Sequence, residues 1–474
     1  MISVLLRNPA LYNLELTSHF NLLAYHQMKS IKYLVPVLLV IGGCKKFLDV
    51  QPRLQVDESQ AIINASTAQT ALNGLYNFLG NDNYYGSNFP ALSYLSGGDI
   101  QWTGSQAAPQ QIVLHKLTAD NGYVSSAWSQ IYRTILSANY IVEKVPAVVD
   151  ASFTQANRNQ VVGEALFIRG LSYFDLARGW GGVPLILTPT HSSSENNDVA
   201  RSTLAETYVQ VIRDLNTAEA LLTETTNRNK ATRKTVWALK SRYFLYQQQW
   251  DSAEVYATKV IADNGNYKLA KPFGNFFLNN AAATPESVFE IAYSTSFKNG
   301  HSNWWMPPVS GGRREWSPTD QLVDILNDPN TGGNRNALIA RTAAPGNLWY
   351  GKLYYRNPVG TDPAYIIRVA ELYLIRAEAR TRLNKPALAL EDVNAVRDRA
   401  GLSALTGNKT DLLLNAIEQE RRLEFAFETD RWFNLVRTGK VAEVLGITDP
   451  NKYFFPIPTS EIVTNSSIKQ NPGY

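Results

Sequence analysis

AYIIRVAELYLIRAEARTRLNKPALALEDVNAVRDRAG, residues 364–401, reads as a pair of helices. Tyr373, Ala377, Ala389, Val393 and Val396 put large and small apolar residues at helical spacing, so each helix has one face to bury. Thr232–Asp263 follows the same scheme, with a turn near Gln249 and Trp237, Ser241, Phe244, Ala253, Ala257 and Val260 at matching offsets. Helix-pair repeats stack so that each hides its neighbour's apolar face. That predicts an α-solenoid scaffold.

Further helical patterns lie upstream. Ala71, Leu72, Leu75, Tyr76 and Leu79 mark one over residues 68–79, and others run over 126–145, 157–179 and 204–222. Two stretches break the period. Residues 84–110 are rich in Gly, Ser, Asn and Pro and carry Tyr84, Tyr85, Phe89, Tyr94 and Trp102. Residues 271–357 are cut by Pro285, Pro307, Pro308, Pro318, Pro329 and Pro345, and hold Trp304, Trp305, Trp316, Trp349 and Tyr350. Residues 289–293 read as a short strand. The expectation is a mainly α chain with two long aromatic-rich loop excursions and a few short strands. Long loops on a rigid scaffold are where function tends to sit.

The N-terminal region has a different logic. MKSIKYLVPVLLVIGGC, residues 28–44, opens on Lys29 and Lys32 and continues as an apolar run too short to span a bilayer. It ends on two glycines and Cys44, the one cysteine in the chain. Residues 28–43 have the layout of a secretory signal, and Ile41–Cys44 resembles a bacterial lipobox, so Cys44 is expected to carry lipid. Residues 1–27 hold only Arg7 and Glu15 as Lys, Arg, Asp or Glu, and Met28 is expected to be the true start. Residues 44–60 follow as lipidated cysteine and tether. Then come an N-terminal helical region with ligand loops, 61–270, and a C-terminal region, 271–474.

Composition excludes several functions. With 45 Lys and Arg against 41 Asp and Glu, the chain is near neutral and has no basic block, which argues against nucleic acid as partner. One cysteine leaves neither disulfides nor cysteine metal sites. The 10 Trp and 24 Tyr exceed what helix packing needs, and flat amphipathic rings suit stacking on ligands.

The C-terminal third carries a specific resemblance. Tyr365–Ala379, Leu390–Asn394 with Arg397, Glu420–Glu428, Arg431–Lys440, Pro456–Pro458 and Asn471–Tyr474 are similar to the SusD/RagB family, as is the opening Cys44–Asp49. The two helix pairs fall where a tetratricopeptide repeat puts its packing residues. The resemblance implies a SusD-like, tetratricopeptide-like fold and an outer-membrane lipoprotein of the Bacteroidetes type, facing the cell surface. It further implies a non-catalytic protein that captures nutrient, usually oligosaccharide, and caps a SusC-like TonB-dependent transporter.

The residues agree with a binding role. Glu420 and Glu424 sit one helical turn apart and point the same way, with Arg421 and Arg422 beside them. A glycosidase needs carboxylates on opposite sides of the scissile bond. These charges read instead as ion pairing that sets helix register, and Glu378 and Arg382 as an exposed i,i+4 pair. None of His115, His191 and His301 has a His or Cys at metal-ligand spacing in the sequence, so neither metal nor cofactor is expected. Candidate ligand rings are those in loops beside polar partners. They are Trp102 after Asp99 and Gln101, Trp304 and Trp305 after Asn303, Trp316 after Arg313 and Arg314, and Tyr85. Glycan capture is the leading function, peptide capture by the same architecture the alternative, and a helical-repeat assembly scaffold the weakest reading.

Overall fold

The computed structural model describes residues 62–192, 195–407 and 409–474. The expected upstream extension, signal, Cys44 and tether lie outside the described residues. From Ala61 onward the chain forms one compact unit.

The helices follow in order as α1 (Ala65–Leu79), α2 (Asn88–Ser96), α3 (Ala107–Val113), α4 (Gly122–Lys144), α5 (Gln155–Trp180) and α6 (Leu204–Leu221). The first helix pair is α7 (Arg233–Tyr246) and α8 (Trp250–Ile261). After α9 (His301–Trp305) and α10 (Asp320–Asn327) comes the second pair, α11 (Val369–Arg382) and α12 (Pro386–Arg399). The chain closes with α13 (Thr410–Glu424), α14 (Arg431–Thr438), α15 (Val441–Leu445) and α16 (Thr459–Thr464). Local sequence sets several starts. Thr203 with Glu206, and Thr232 with Thr235, close capping boxes on α6 and α7. Pro386 stands at the start of α12, where a missing N–H costs nothing.

The two pairs stack as expected, α8 against α11. Arg242 of α7 holds both carboxylate oxygens of Glu371 on α11, and Arg380 of α11 reaches Glu254 of α8 at 3.0 Å. Helices α4 to α7 pack in sequence against one another, and α5 is buried on every side from Gly163 to Trp180. Its polar groups are therefore paired: Arg169 with Asp214, Glu164 with Tyr76, and Asp175 with Arg178.

Six short strands form three antiparallel ladders among the described residues. β1 (Ile100–Trp102) pairs with β3 (Trp316–Pro318), and β2 (Ser287–Ile291) pairs with β6 (Ala364–Arg368). β4 (Ile339–Arg341) pairs with β5 (Trp349–Gly351). Regions 61–270 and 271–474 thus share one ladder, β1 on β3. The structure differs from the sequence reading over 84–110. That stretch is not a long loop but a tight turn, α2, β1 and α3. Its small polar residues sit buried against aromatic neighbours, so tertiary packing overrides weak propensity.

Candidate functional site: an aromatic cluster at the β1–β3 ladder

The register of β1 on β3 sets Trp102 opposite Trp316. Upstream of β3 the chain folds back on α9, because Arg313 N–H donates to Asn303 O at 2.7 Å and Arg314 N–H to Met306 O at 2.9 Å. Gly312 makes this possible, since a Cβ there would strike the Met306 carbonyl. The fold-back lays Trp304 on Trp316, nearly parallel at 25° with centroids 5.4 Å apart. Trp102 lies 6.2 Å from Trp304, and Trp305 meets Trp316 edge to face at 5.6 Å. Four of the five predicted rings are one cluster.

Their exposure divides them. Trp316 is 0% and Trp305 1% exposed, closed in by Tyr94 and Phe427, so neither presents a face to a ligand. Trp102 is 7% exposed, with Gly104 folded against its indole. Trp304 is half-buried and is the open ring of the set. Tyr85 lies elsewhere. It stacks on Tyr84, and both hydroxyls donate to Asp175 at 2.7 Å. It lines a cavity of about 20 Å³, room for roughly one water and not for a sugar. Asp99, expected beside Trp102 as a hydroxyl partner, is instead buried under Arg422 and Arg431.

Around Trp304 the charge is mostly positive. The Arg313 guanidinium lies over the ring at 4.9 Å and also binds Glu315 at 2.7 Å. Arg314 holds left-handed backbone (φ 51°), uncommon for a side chain of this size. Its guanidinium donates to the Trp349 carbonyl at 2.7 Å and to the Ser317 hydroxyl at 2.9 Å. Burial lowers its pKa, and among the described residues no carboxylate pairs with it. Trp349 and Tyr350 of β5 are half-buried beside this group, with Arg341 over Trp349 at 5.6 Å. Both rings belong to the proline-broken stretch but lie outside the candidate set. Their place at the cluster depends on β5 meeting β3, which local sequence does not reveal.

The charged motif of α13 has a structural job. Glu424 takes Arg335, Arg368 and Arg399, and Glu420 takes Arg335 and Arg397. Burial would raise the Glu424 carboxyl, but these guanidiniums outweigh it and hold it at about 2. Both carboxylates are committed to ion pairs, leaving no free acid for glycoside cleavage. Glu378, by contrast, is buried and binds Arg437 through both oxygens, not Arg382 as the i,i+4 spacing suggested.

Fold and cluster together define a helical-repeat protein with a half-open aromatic face. A family profile described as "Starch-binding associating with outer membrane" matches residues 46–245, and one described as "SusD family" matches residues 349–449. SusD-like protein P38 of Formosa agariphila is 26% identical, over 94% of this chain and 99% of its own. Among solved structures, a SusD superfamily protein from Bacteroides vulgatus superposes with TM-score 0.76 at 22% identity, covering 88% of this chain and 99% of that one. A laminarin-binding SusD-like protein superposes with TM-score 0.74 at 24% identity, covering 87% and 100%. The chain belongs to the SusD/RagB family.

Proposed function

We propose that this protein is a non-catalytic, glycan-binding lipoprotein of the outer membrane. In this reading Cys44 carries the lipid, and the folded unit captures an oligosaccharide at the cell surface and delivers it to a SusC-like TonB-dependent transporter. The anchor fits a chain in which no described helix is long and apolar enough to cross a membrane. The observation that carries the binding role is Trp304, a half-buried indole braced from behind by Trp316 and flanked by Asn303 and Arg313. Sugars stack their C–H faces on such rings and leave hydroxyls to amides and guanidiniums. Trp102 and Trp316 touch the ring and Trp305 packs on Trp316, holding it in place.

A glycan array probed with the purified protein and its Trp304→Ala variant tests this. Binding of one oligosaccharide class, lost in the variant, supports the reading. Silence from a folded protein, with binding on a peptide array, would move the function to peptide capture. Anchoring is read separately, by mass spectrometry for acylation of Cys44 and for any peptide from residues 1–27.

A further inference from the structure

We infer that the glycan taken at Trp304 is an anionic one, bearing uronate carboxylates or sulfate esters. This inference rests on the proposed glycan-binding reading. The charged groups that touch Trp304 or Trp349, directly or through one partner, are Arg313, Arg314, Arg341 and Glu315. Three guanidiniums face one carboxylate, and Glu315 is already engaged by Arg313.

The geometry sharpens the point. Trp316 stacks on Trp304, and the guanidinium of Arg313 lies over the same ring. A neutral sugar must compete with Arg313 for that ring. A sugar with a carboxylate or sulfate can draw Arg313 into a charge-assisted pair and occupy the ring together with it. Arg314 adds a second donor. It is half-buried, is fixed by the Trp349 carbonyl and the Ser317 hydroxyl, and has no carboxylate partner among the described residues. A desolvated guanidinium satisfied only by neutral acceptors is a strong anion donor, and its planar fork matches either oxyanion. Arg341 lies over Trp349 on the adjoining ladder and extends the positive strip along β5.

The test is calorimetric titration of the full chain with three hexasaccharides: hexagalacturonate, a sulfated carrageenan hexamer and neutral laminarihexaose. The expected result, in 20 mM NaCl, is at least about tenfold tighter binding of one anionic hexamer than of laminarihexaose, shrinking in 500 mM NaCl. Arg314→Gln should erase most of that preference, and Arg314→Lys should retain part of it. Circular dichroism establishes that each variant is folded. Arg313→Gln, at an exposed position, serves if Arg314→Gln is not. The uronate and sulfate arms distinguish the two sources of charge. Equal affinity for neutral and anionic hexamers, or an unchanged preference in the glutamine variants, overturns the inference and leaves glycan binding standing. No binding of any hexamer by the folded protein overturns the glycan reading itself.

Discussion

Trp304 and Trp316 stack on each other, yet removing each should do different things. Trp316 is fully enclosed, so Trp316→Ala opens a cavity the surrounding rings cannot close and should cost about 3–5 kcal/mol. Trp304 already shows part of its surface to water, so Trp304→Ala should cost about 1 kcal/mol or less in stability while removing ligand binding. Chemical denaturation and ligand titration on the same two variants separate the effects. Equal loss of stability in both would mean that Trp304 is packing. Sequence alone picked out both residues, because rings in proline-broken stretches stand apart from the helical pattern. It could not rank them. Whether Trp316 is open depends on β1 arriving from far upstream, and whether Tyr85 is open depends on Asp175 of α5 capturing its hydroxyl.

At the scale of elements, α13 buries charge beside its apolar stripe. Glu424→Ala would leave Arg335, Arg368 and Arg399 with one carboxylate fewer in a buried site. It should destabilise by about 3–5 kcal/mol or more, read as a lowered denaturation midpoint. Glu428 behaves differently. It shares Arg368 with Glu424 and Glu286, and burial, helped by those like charges, pushes its carboxyl up to about 7. An unfolded glutamate titrates near about 4.3, so between these values the native state holds a proton that the unfolded state has lost. This contribution is complete below about 4.3 and is lost as pH rises through 7. Glu424 runs the other way. Its contribution is present above about 4.3 and fades as pH falls toward 2. Between pH 5 and 8 the Glu428 share of stability falls as pH rises, while buried His301, held down at about 3, adds stability as pH rises toward about 6.5. In urea denaturation Glu428→Gln should therefore lose less stability with rising pH than the parent. Matching slopes in parent and variant would exclude Glu428 as the source. The sequence showed that this helix carried structural charge but not its partners. Ion pairs at helical spacing are local, whereas Arg335, Arg368 and Arg399 come from three separate elements.

Across the whole molecule, the helix pairs were legible because their packing residues repeat, while the closure between the two halves was not. Three tethers make that closure. β1 pairs with β3, Arg242 of α7 holds Glu371 of α11, and Asp99 from the first half lies under Arg422 and Arg431 of the second. At the C-terminal end, Arg201 grips the Lys469 carbonyl and Asn471, and Asn471 in turn binds the carbonyls of Trp180 and Phe455. None of these partners is near the other in sequence, so no periodicity announces them. Physically they leave neither half a complete core: without β3, Trp102 loses its cover, and without α5, the ring of Phe455 loses Trp180. The chain from residue 61 onward should then melt in one calorimetric transition despite its length. Asp99→Ala, which takes the carboxylate from Arg422 and leaves Arg431 with Glu418 alone, should shift that single transition down by several degrees without splitting it. Fragments 61–270 and 271–474, expressed apart, should lack native circular dichroism and a cooperative melt. Two resolved transitions in the intact chain, or either fragment melting cooperatively by itself, would show that the halves fold independently and that the shared ladder only docks them.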